Sequence, residues 1–399
     1  MHNILVINAG SSSLKYQVMD MDSTDVLASG ICERIGQSGS KITFKANGKK
    51  IETLSEMKDH STAISLVMQA LTDSQTGVLK SMDEIFAIGH RVVHGGEDFK
   101  SSVVITEETI KAIEHNSSLA PLHNPANIMG IKACQEIMPG KPNVAVFDTA
   151  FHQTMPQKAF IYGLPYEDYT ENKVRRYGFH GTSHSYVSKR IAAILGKKPE
   201  ELKVITCHLG NGSSIAAVDQ GKVVDTSMGL TPLEGVVMGT RCGSIDPAII
   251  KFLADKKGMT IDEIDSYLNK KSGVLGISGV SSDFRDLNEA ADNGNERARL
   301  ALEVVGYSVK KYIGSYTAAM NGLDVIVFTA GVGENDQVIR EYSASDLEFL
   351  GVELDKEKNN TIPRGVEIEI SKPNSKVKVW VVPTNEELVI AQDTFDLTK

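Results

Sequence analysis

Two stretches of the chain, half its length apart, have the same form. Ile4–Ile7 is an apolar run, Asn8-Ala9-Gly10-Ser11-Ser12-Ser13 is a small polar turn, and Leu14–Met19 reads as a second strand, with a third over Val26–Gly30. Val204–Cys207 is again apolar, and His208-Leu209-Gly210-Asn211-Gly212-Ser213-Ser214 is again a turn. Ile215–Val218 and Lys222–Asp225 then form a hairpin through Asp219-Gln220-Gly221. Aligning Gly10-Ser11-Ser12 with Gly212-Ser213-Ser214 gives an offset of 212 − 10 = 202 in 399 residues. A repeat on that scale predicts a duplicated domain with its site in the cleft between the halves. Glycines and serines in such a turn let amides and hydroxyls converge on a phosphate. Asn-Gly is equally the commonest two-residue hairpin signal, so an ordinary turn is the competing reading.

The length fits two α/β domains of about 150–200 residues each. A hydrophobic fraction of 41% beside 23% charged residues supplies a globular core. Net charge is −9 and no basic run exceeds a lysine pair such as Lys256-Lys257, which excludes a nucleic-acid partner. Any bound anion must therefore be held by a few local cations. No stretch approaches the roughly 18 apolar residues of a membrane helix. No basic segment precedes an apolar one at the N-terminus, so a cytoplasmic protein without membrane contact is expected. Cys32, Cys134, Cys207 and Cys242 stand far apart and read as reduced thiols.

Along the chain, Ile85–Val93 is a strand that delivers Arg91 ahead of Gly95-Gly96, a place from which an arginine reaches a cleft or lies on the surface. Asn124-Pro125 opens a helix, with Asn as its cap. Asn143–Phe147 is a strand finishing at Asp148, where α/β sheets place ligands and where an aspartate also caps turns. Asn172–His184 is rich in His, Arg and Gly and precedes a helix from about Ser185. Its His180 and His184 lack the H-E-x-x-H pattern of zinc sites. Leu230–Pro247 is a glycine-punctuated loop carrying Arg241. Asp324–Phe328 leads through Thr329-Ala330-Gly331-Val332-Gly333-Glu334-Asn335 to a helix N-terminus, a third anion-binding arrangement. Val366–Ile370 and Val377–Val382 are late strands, and the closing helix starts near Asn385-Glu386.

The Walker pattern, the protein-kinase catalytic motif and G-x-G-x-x-G are absent, which leaves the duplicated actin, Hsp70 and sugar-kinase fold. Within it, the chain closely resembles the acetate kinase (acetokinase) family. The resemblance runs end to end through INAGSSSLK (Ile7–Lys15), GHRVVHGG (Gly89–Gly96), FDTAFH (Phe147–His152), YGFHGTSH (Tyr177–His184), HLGNGSS (His208–Ser214), MGTRCGSIDP (Met238–Pro247), TAGVGEN (Thr329–Asn335) and PTNEE (Pro383–Glu387).

That resemblance implies two ribonuclease H-like domains, one of residues 1–150 plus 384–399 and one of residues 151–383. It implies reversible phosphoryl transfer from ATP to acetate by direct in-line attack. Asn8 and Glu386 would hold Mg²⁺, for which Mn²⁺ can substitute, with Asp148 close by. Lys15 and the loop His208, Leu209, Gly210, Asn211 and Gly212 would face the ATP phosphates. Asp283, Phe284 and Arg285 would line the adenosine site, completed by Gly331, Val332, Gly333, Glu334 and Asn335. Arg91 would bind the carboxylate, with Val93, Leu122, Phe179 and Pro232 around its methyl group. His180 and Arg241 would support the transferring phosphoryl group. A homodimer through the C-terminal halves is also implied. The rivals are a propionate or other short-chain acyl kinase, for which Val93 is the discriminating position, and an ATP-switched binding protein, in which Arg91 and its apolar neighbours would have no role.

Overall fold

The computed structural model describes residues 2–399, which divide into two compact units. One runs to Phe151 and takes in Asn385–Lys399, and the other is His152–Thr384. The first unit is built on β1 (Asn3–Ala9), β2 (Ser13–Asp20), β3 (Asp25–Glu33), β4 (Lys41–Ala46), β5 (Lys49–Leu54), β6 (Ile85–Val92), β7 (Val103–Val104) and β8 (Asn143–Phe147). These lie in the order β5-β4-β3-β2-β1-β6-β8-β7. The second unit has β9 (Lys203–His208), β10 (Ser214–Asp219), β11 (Lys222–Thr226), β12 (Val325–Thr329), β13 (Ile368–Glu369) and β14 (Lys378–Val381), in the order β11-β10-β9-β12-β14-β13.

The inner strands repeat. β1 is antiparallel to β2 and parallel to β6, which is parallel to β8; β9 is antiparallel to β10 and parallel to β12, which is parallel to β14. This is a duplicated ribonuclease H-like topology of α/β class. The second sheet has no counterparts of β4 and β5, and the turn between the first two strands of each unit also differs. The β1 and β9 ends differ by 208 − 9 = 199 and the β2 and β10 starts by 214 − 13 = 201, so the second turn is two residues longer.

β8 (NVAVF) and β12 (VIVFT) are buried along their whole length, as strands covered on both faces must be. In the first unit the helices His60–Leu71 and Asn124–Ile137 cover one face, and the closing helix Glu386–Thr398 packs on β1, β6 and β8. Gly89 makes that approach possible. A Cβ there would stand 2.4 Å from Thr394 Oγ1 and 2.7 Å from Ile390 Cγ2. In the second unit the 25-residue helix Glu296–Met320 carries ten buried positions, among them Leu302, Val305, Val309 and Ile313, and packs on β9 and β10.

Three sequence expectations shift. The helix expected from about Ser185 starts at Gly181, so Ser183 and His184 occupy its first turn. Asn124 is the first helical residue rather than the cap, and its side chain is used elsewhere. The strand expected over Val366–Ile370 shortens to Ile368–Glu369.

Candidate active site

In the first unit, three parallel strands end side by side, β1 with Asn8, β6 with Arg91 and β8 with Asp148 just beyond it. Register decides who meets: Arg91 pairs with Val146 and Val92 with Phe147, and the Asp148 amide donates to Val92 O at 3.0 Å. The Arg91 guanidinium then reaches Asp148 edge-on, Nε to Oδ1 at 2.9 Å and Nη2 to Oδ2 at 2.5 Å. Asp148 is buried while Arg91 keeps 22% of its side chain exposed. Burial opposes the Arg91 charge, but Asp148, with Glu386 and Glu387, outweighs it and holds the guanidinium pKa above its ordinary value. Asn8 stands opposite Lys15 across the β1–β2 ladder. Asn8, Lys15, Arg91 and Glu386 line one cavity of about 370 Å³. Half-buried in the first turn of the closing helix, the Glu386 carboxyl is raised to about 7. Loss of hydration is the main cause, and Asp148 and Glu387 add to it against Arg91 and Lys15.

These strand ends are tied together by the helix beneath them. Asn127 accepts the Val93 amide on Oδ1 at 3.0 Å and donates from Nδ2 to Ala9 O at 2.8 Å, joining the exits of β6 and β1. Asn124 grips both main-chain groups of His94, and His60 Nε2 donates to Gly10 O at 2.7 Å. Val93 is buried, whereas Leu122 stands 72% exposed in its loop.

In the second unit, the β9–β10 turn is held from within. Leu209 is part of the core; its amide donates to Thr329 O and its carbonyl accepts from Val332 and Gly333. The amides of Val332 and Gly333, which the sequence offered to an anion, are therefore occupied. The Gly210 amide donates to Ser213 Oγ at 3.1 Å. Asn211 and Gly212 remain as the outward part of the turn. The φ of Gly212 is not positive, and a Cβ there would lie 3.2 Å from Arg241 Nη1 and 3.6 Å from His180 Cε1 and Nε2, so both side chains border the turn. Arg241 also donates to Pro232 O at 3.1 Å, and burial pulls its pKa below the ordinary arginine value. Phe179 is buried, and His180 follows it in the left-handed region at φ 57° before the helix starts.

Farther along the same unit, Gly210, Asn211, Asp283, Arg285, Gly331 and Asn335 border a cavity of about 480 Å³, with Phe284 and Val332 also at its wall. Asp283 caps its helix through the Arg285 amide and receives the Arg285 guanidinium. Those bonds, the side-chain one first, lower its carboxyl to about 2. Gly333 and Glu334 do not line the cavity. Glu334 accepts the Thr384 amide at 3.2 Å, and Arg340, buried to 1% exposure, donates to the carbonyls of both.

Sequence reading missed Asn127, Arg340, Asn288 and Arg364, the last two at the cavity wall. Asn127 carried a signal, three residues from Asn124 and so on the same helical face. Arg340 and Arg364 carried none, because polar residues on a helix and in a loop read as solvated.

Two ribonuclease H-like units, one gathering an arginine, a lysine and carboxyls near its strand ends and the other carrying a glycine-serine turn beside a cavity of about 480 Å³, belong to a phosphotransferase. The sequence profile of the Acetokinase family matches residues 3–392. The chain belongs to that family. An acetate kinase of Thermoanaerobacterium thermosaccharolyticum is 64% identical over 392 residues, covering 98% of each chain. The crystal structure of Porphyromonas gingivalis acetate kinase is 50% identical over the whole of both chains with a TM-score of 0.97. That of a propionate kinase from Francisella tularensis subsp. tularensis is 45% identical over the same extent with a TM-score of 0.93.

Proposed function

We propose that the chain catalyses reversible transfer of the γ-phosphoryl group of ATP to acetate, giving acetyl phosphate and ADP. The observation that carries this reading is the cavity at the β1 and β6 ends, where Arg91, Lys15, Asn8 and Glu386 meet. Asp148 occupies one edge of the Arg91 guanidinium, and the remaining Nη1–Nη2 edge suits a carboxylate. Val93, Phe179 and Pro232 are assigned to the methyl group, together with the more exposed Leu122. Acetate, with a pKa around 4–5, is already ionised at neutral pH and needs no general base. Asp148 therefore acts as an orienter of Arg91. In-line transfer spreads charge over the equatorial oxygens, so donors and cations are what it requires. Arg241 and His180, both beside Gly212, supply them in this reading, and Lys15 with the His208–Gly212 turn holds the ATP phosphates.

The residues at the first cavity suit Mg²⁺ or Mn²⁺. Glu386 is a carboxyl whose burial its neighbouring cations do not offset, and Asn8 lines the same space. Magnesium is typically held by one or two carboxylates completed by water and nucleotide phosphates. Among the described residues no group of three His, Cys, Asp or Glu side chains could hold a metal. Bound there, the ion would neutralise phosphate charge. The first unit is thus assigned the acid and metal, and the second the adenosine at the Asp283–Arg285 cavity.

The resemblance to the Francisella propionate kinase keeps propionate as the alternative acceptor. Hydroxamate trapping tests both: acetate with ATP and Mg²⁺ should give acetyl hydroxamate faster than propionate gives its homologue, and ATP loss without acyl hydroxamate would overturn the reading. No helix of the described residues is long and apolar enough to cross a membrane. Cytoplasmic action and a homodimer complete the proposal. The helix Ala248–Lys257 has no buried residue and exposes Ile249, Ile250 and Phe252, a face suited to a second copy. Light scattering that found only single chains would remove the dimer.

A further inference from the structure

Four imidazoles lie together in the second unit. The rings of His180 and His208 stack with centroids 4.1 Å apart at 18°, and His184 meets His152 edge-on at 5.6 Å and lies 6.1 Å from His208. His184 is wholly buried, and burial, with His152 and His208 acting in the same direction, drives its pKa well below the ordinary value. A neutral imidazole has one N–H and one acceptor nitrogen. His184 Nδ1 is 2.6 Å from Thr206 Oγ1, His184 Nε2 is 2.7 Å from Ser214 Oγ, and Ser214 Oγ is 2.9 Å from His180 Nδ1.

The two possible directions of this chain are unequal. Thr206 is fully buried, and its hydroxyl has no other hydrogen-bond partner among the described residues. Were His184 to donate from Nδ1, the Thr206 O–H would be left without an acceptor, and an unmet buried donor is costly. With Thr206 donating to Nδ1 instead, His184 carries its proton on Nε2 and donates to Ser214 Oγ. The single Ser214 proton then goes to His180 Nδ1, and every proton in the chain has an acceptor. A parallel pair serves the stacked ring: Thr384 Oγ1 donates to Ser183 Oγ at 2.8 Å, and Ser183 Oγ is 2.7 Å from His208 Nδ1.

We infer that Thr206, His184 and Ser214 form a one-way hydrogen-bond relay that holds His180 as its Nε2–H tautomer, a donor at the corner shared with Gly212 and Arg241. These three are positioning residues, since they act through His180. The consequence for catalysis rests on the reading above that the phosphoryl group passes His180. An Nε2–H can donate to an equatorial oxygen, whereas the opposite tautomer turns a lone pair toward it. An imidazole with a free choice of tautomer would spend part of its time in that unproductive form.

Nuclear magnetic resonance of the full-length protein labelled with ¹⁵N-histidine tests the relay, with His180 assigned by its loss in His180→Gln. The expected result is an acceptor-type Nδ1 and a protonated Nε2 on both His180 and His184. A proton on Nδ1 of His180 overturns the proposal, whatever acid the enzyme phosphorylates, because the spectrum needs no turnover. Thr206→Val should give His180 a mixture of tautomers and lower kcat by about ten- to a hundredfold, short of the roughly 10²–10³-fold cost of losing a transition-state donor outright. Its KM values for ATP and acetate should stay within about twofold, and Thr206→Ser should restore both spectrum and turnover. A tautomer that does not move in Thr206→Val, or one that moves without any change in kcat, overturns the positioning role. Should Thr206→Val fail to fold, the wild-type spectrum still decides the direction of the chain.

Discussion

The Arg91 guanidinium lies edge-on against the Asp148 carboxylate, with Nε and Nη2 each donating to a separate oxygen. This pairing fixes which edge of the guanidinium is left for a ligand. Asp148→Asn replaces one accepting oxygen with an amide NH₂ that faces the guanidinium. Hydrogen bonds to charged groups are worth about 1.5–3 kcal/mol, so a misaligned Arg91 should raise the KM for acetate by roughly ten- to a hundredfold. The KM for ATP should change little. Initial rates at varied acetate check this, and an unchanged acetate KM would separate Arg91 orientation from acid binding.

Arg241 touches the space over Gly212 and is assigned to the transferring phosphoryl group. Charge-stabilising arginines contribute about 10³–10⁵-fold in phosphoryl transfer, so Arg241→Ala should lose turnover on that scale. Lys should rescue poorly, because it lacks the planar fork that also holds Pro232 O. Retention of more than about a tenth of wild-type turnover would remove the assignment.

The proposed metal ligands give a separable prediction. Chelation should abolish turnover, and Asn8→Ala and Glu386→Ala should each raise the Mg²⁺ concentration needed for half-maximal rate by about tenfold or more. Equal Mg²⁺ dependence in wild type and both variants would place the ion elsewhere.

Val93→Ala should relax the limit on acid length. Pockets discriminate single methylenes by roughly 10–200-fold in kcat/KM, so propionate should gain about tenfold relative to acetate. Most of the change should fall in KM, since a methyl group away from the reacting oxygen binds ground and transition states alike. An unmoved ratio would mean that another residue closes the pocket.

Two groups in the first unit pull its stability in opposite directions with pH. His90 is buried with its pKa lowered to about 4, chiefly by loss of hydration and despite its hydrogen bond to Asn143, against 6.5 when unfolded. Its contribution is present above pH 6.5 and lost as pH falls through 4, by about 2 kcal/mol at pH 5. Glu386, raised from 4.5 to about 7, contributes fully below 4.5 and loses that contribution as pH rises through 7. Glu386→Gln removes that compensation and should therefore lose about 2 kcal/mol more than the wild type between pH 7 and 5. Urea unfolding at both pH values reads the difference, and equal slopes for the two proteins would contradict it.

Much of the fold was legible because its signals are local. The apolar runs and polar turns of Ile4–Met19 and Val204–Asp225 mark two hairpins, Asn143–Phe147 has the bounds its apolar run suggests, and the glycine-serine turns announce themselves by composition. The residues assembled at the candidate site were legible one motif at a time. Arg91, Asp148 and His180 each stand at the end of a strand or the start of a helix, where chain direction alone brings a side chain to an edge.

The sequence by itself determined the two strand-turn-strand units, their distance apart in the chain and the chemistry available at their turns. Only the tertiary structure decided who meets whom. Arg91 reaches Asp148 because parallel register sets Val92 opposite Phe147, although the two residues are 57 positions apart. Asn127 joins Val93 to Ala9, 118 positions away, because a helix crosses beneath two strand ends. Thr206 and His184 connect because the helix starts at Gly181 rather than near Ser185, which turns His184 inward to β9. Such pairings depend on register and on helix position, which are settled by burying whole faces at once, and a change of one residue in either would bring a different side chain to the same place.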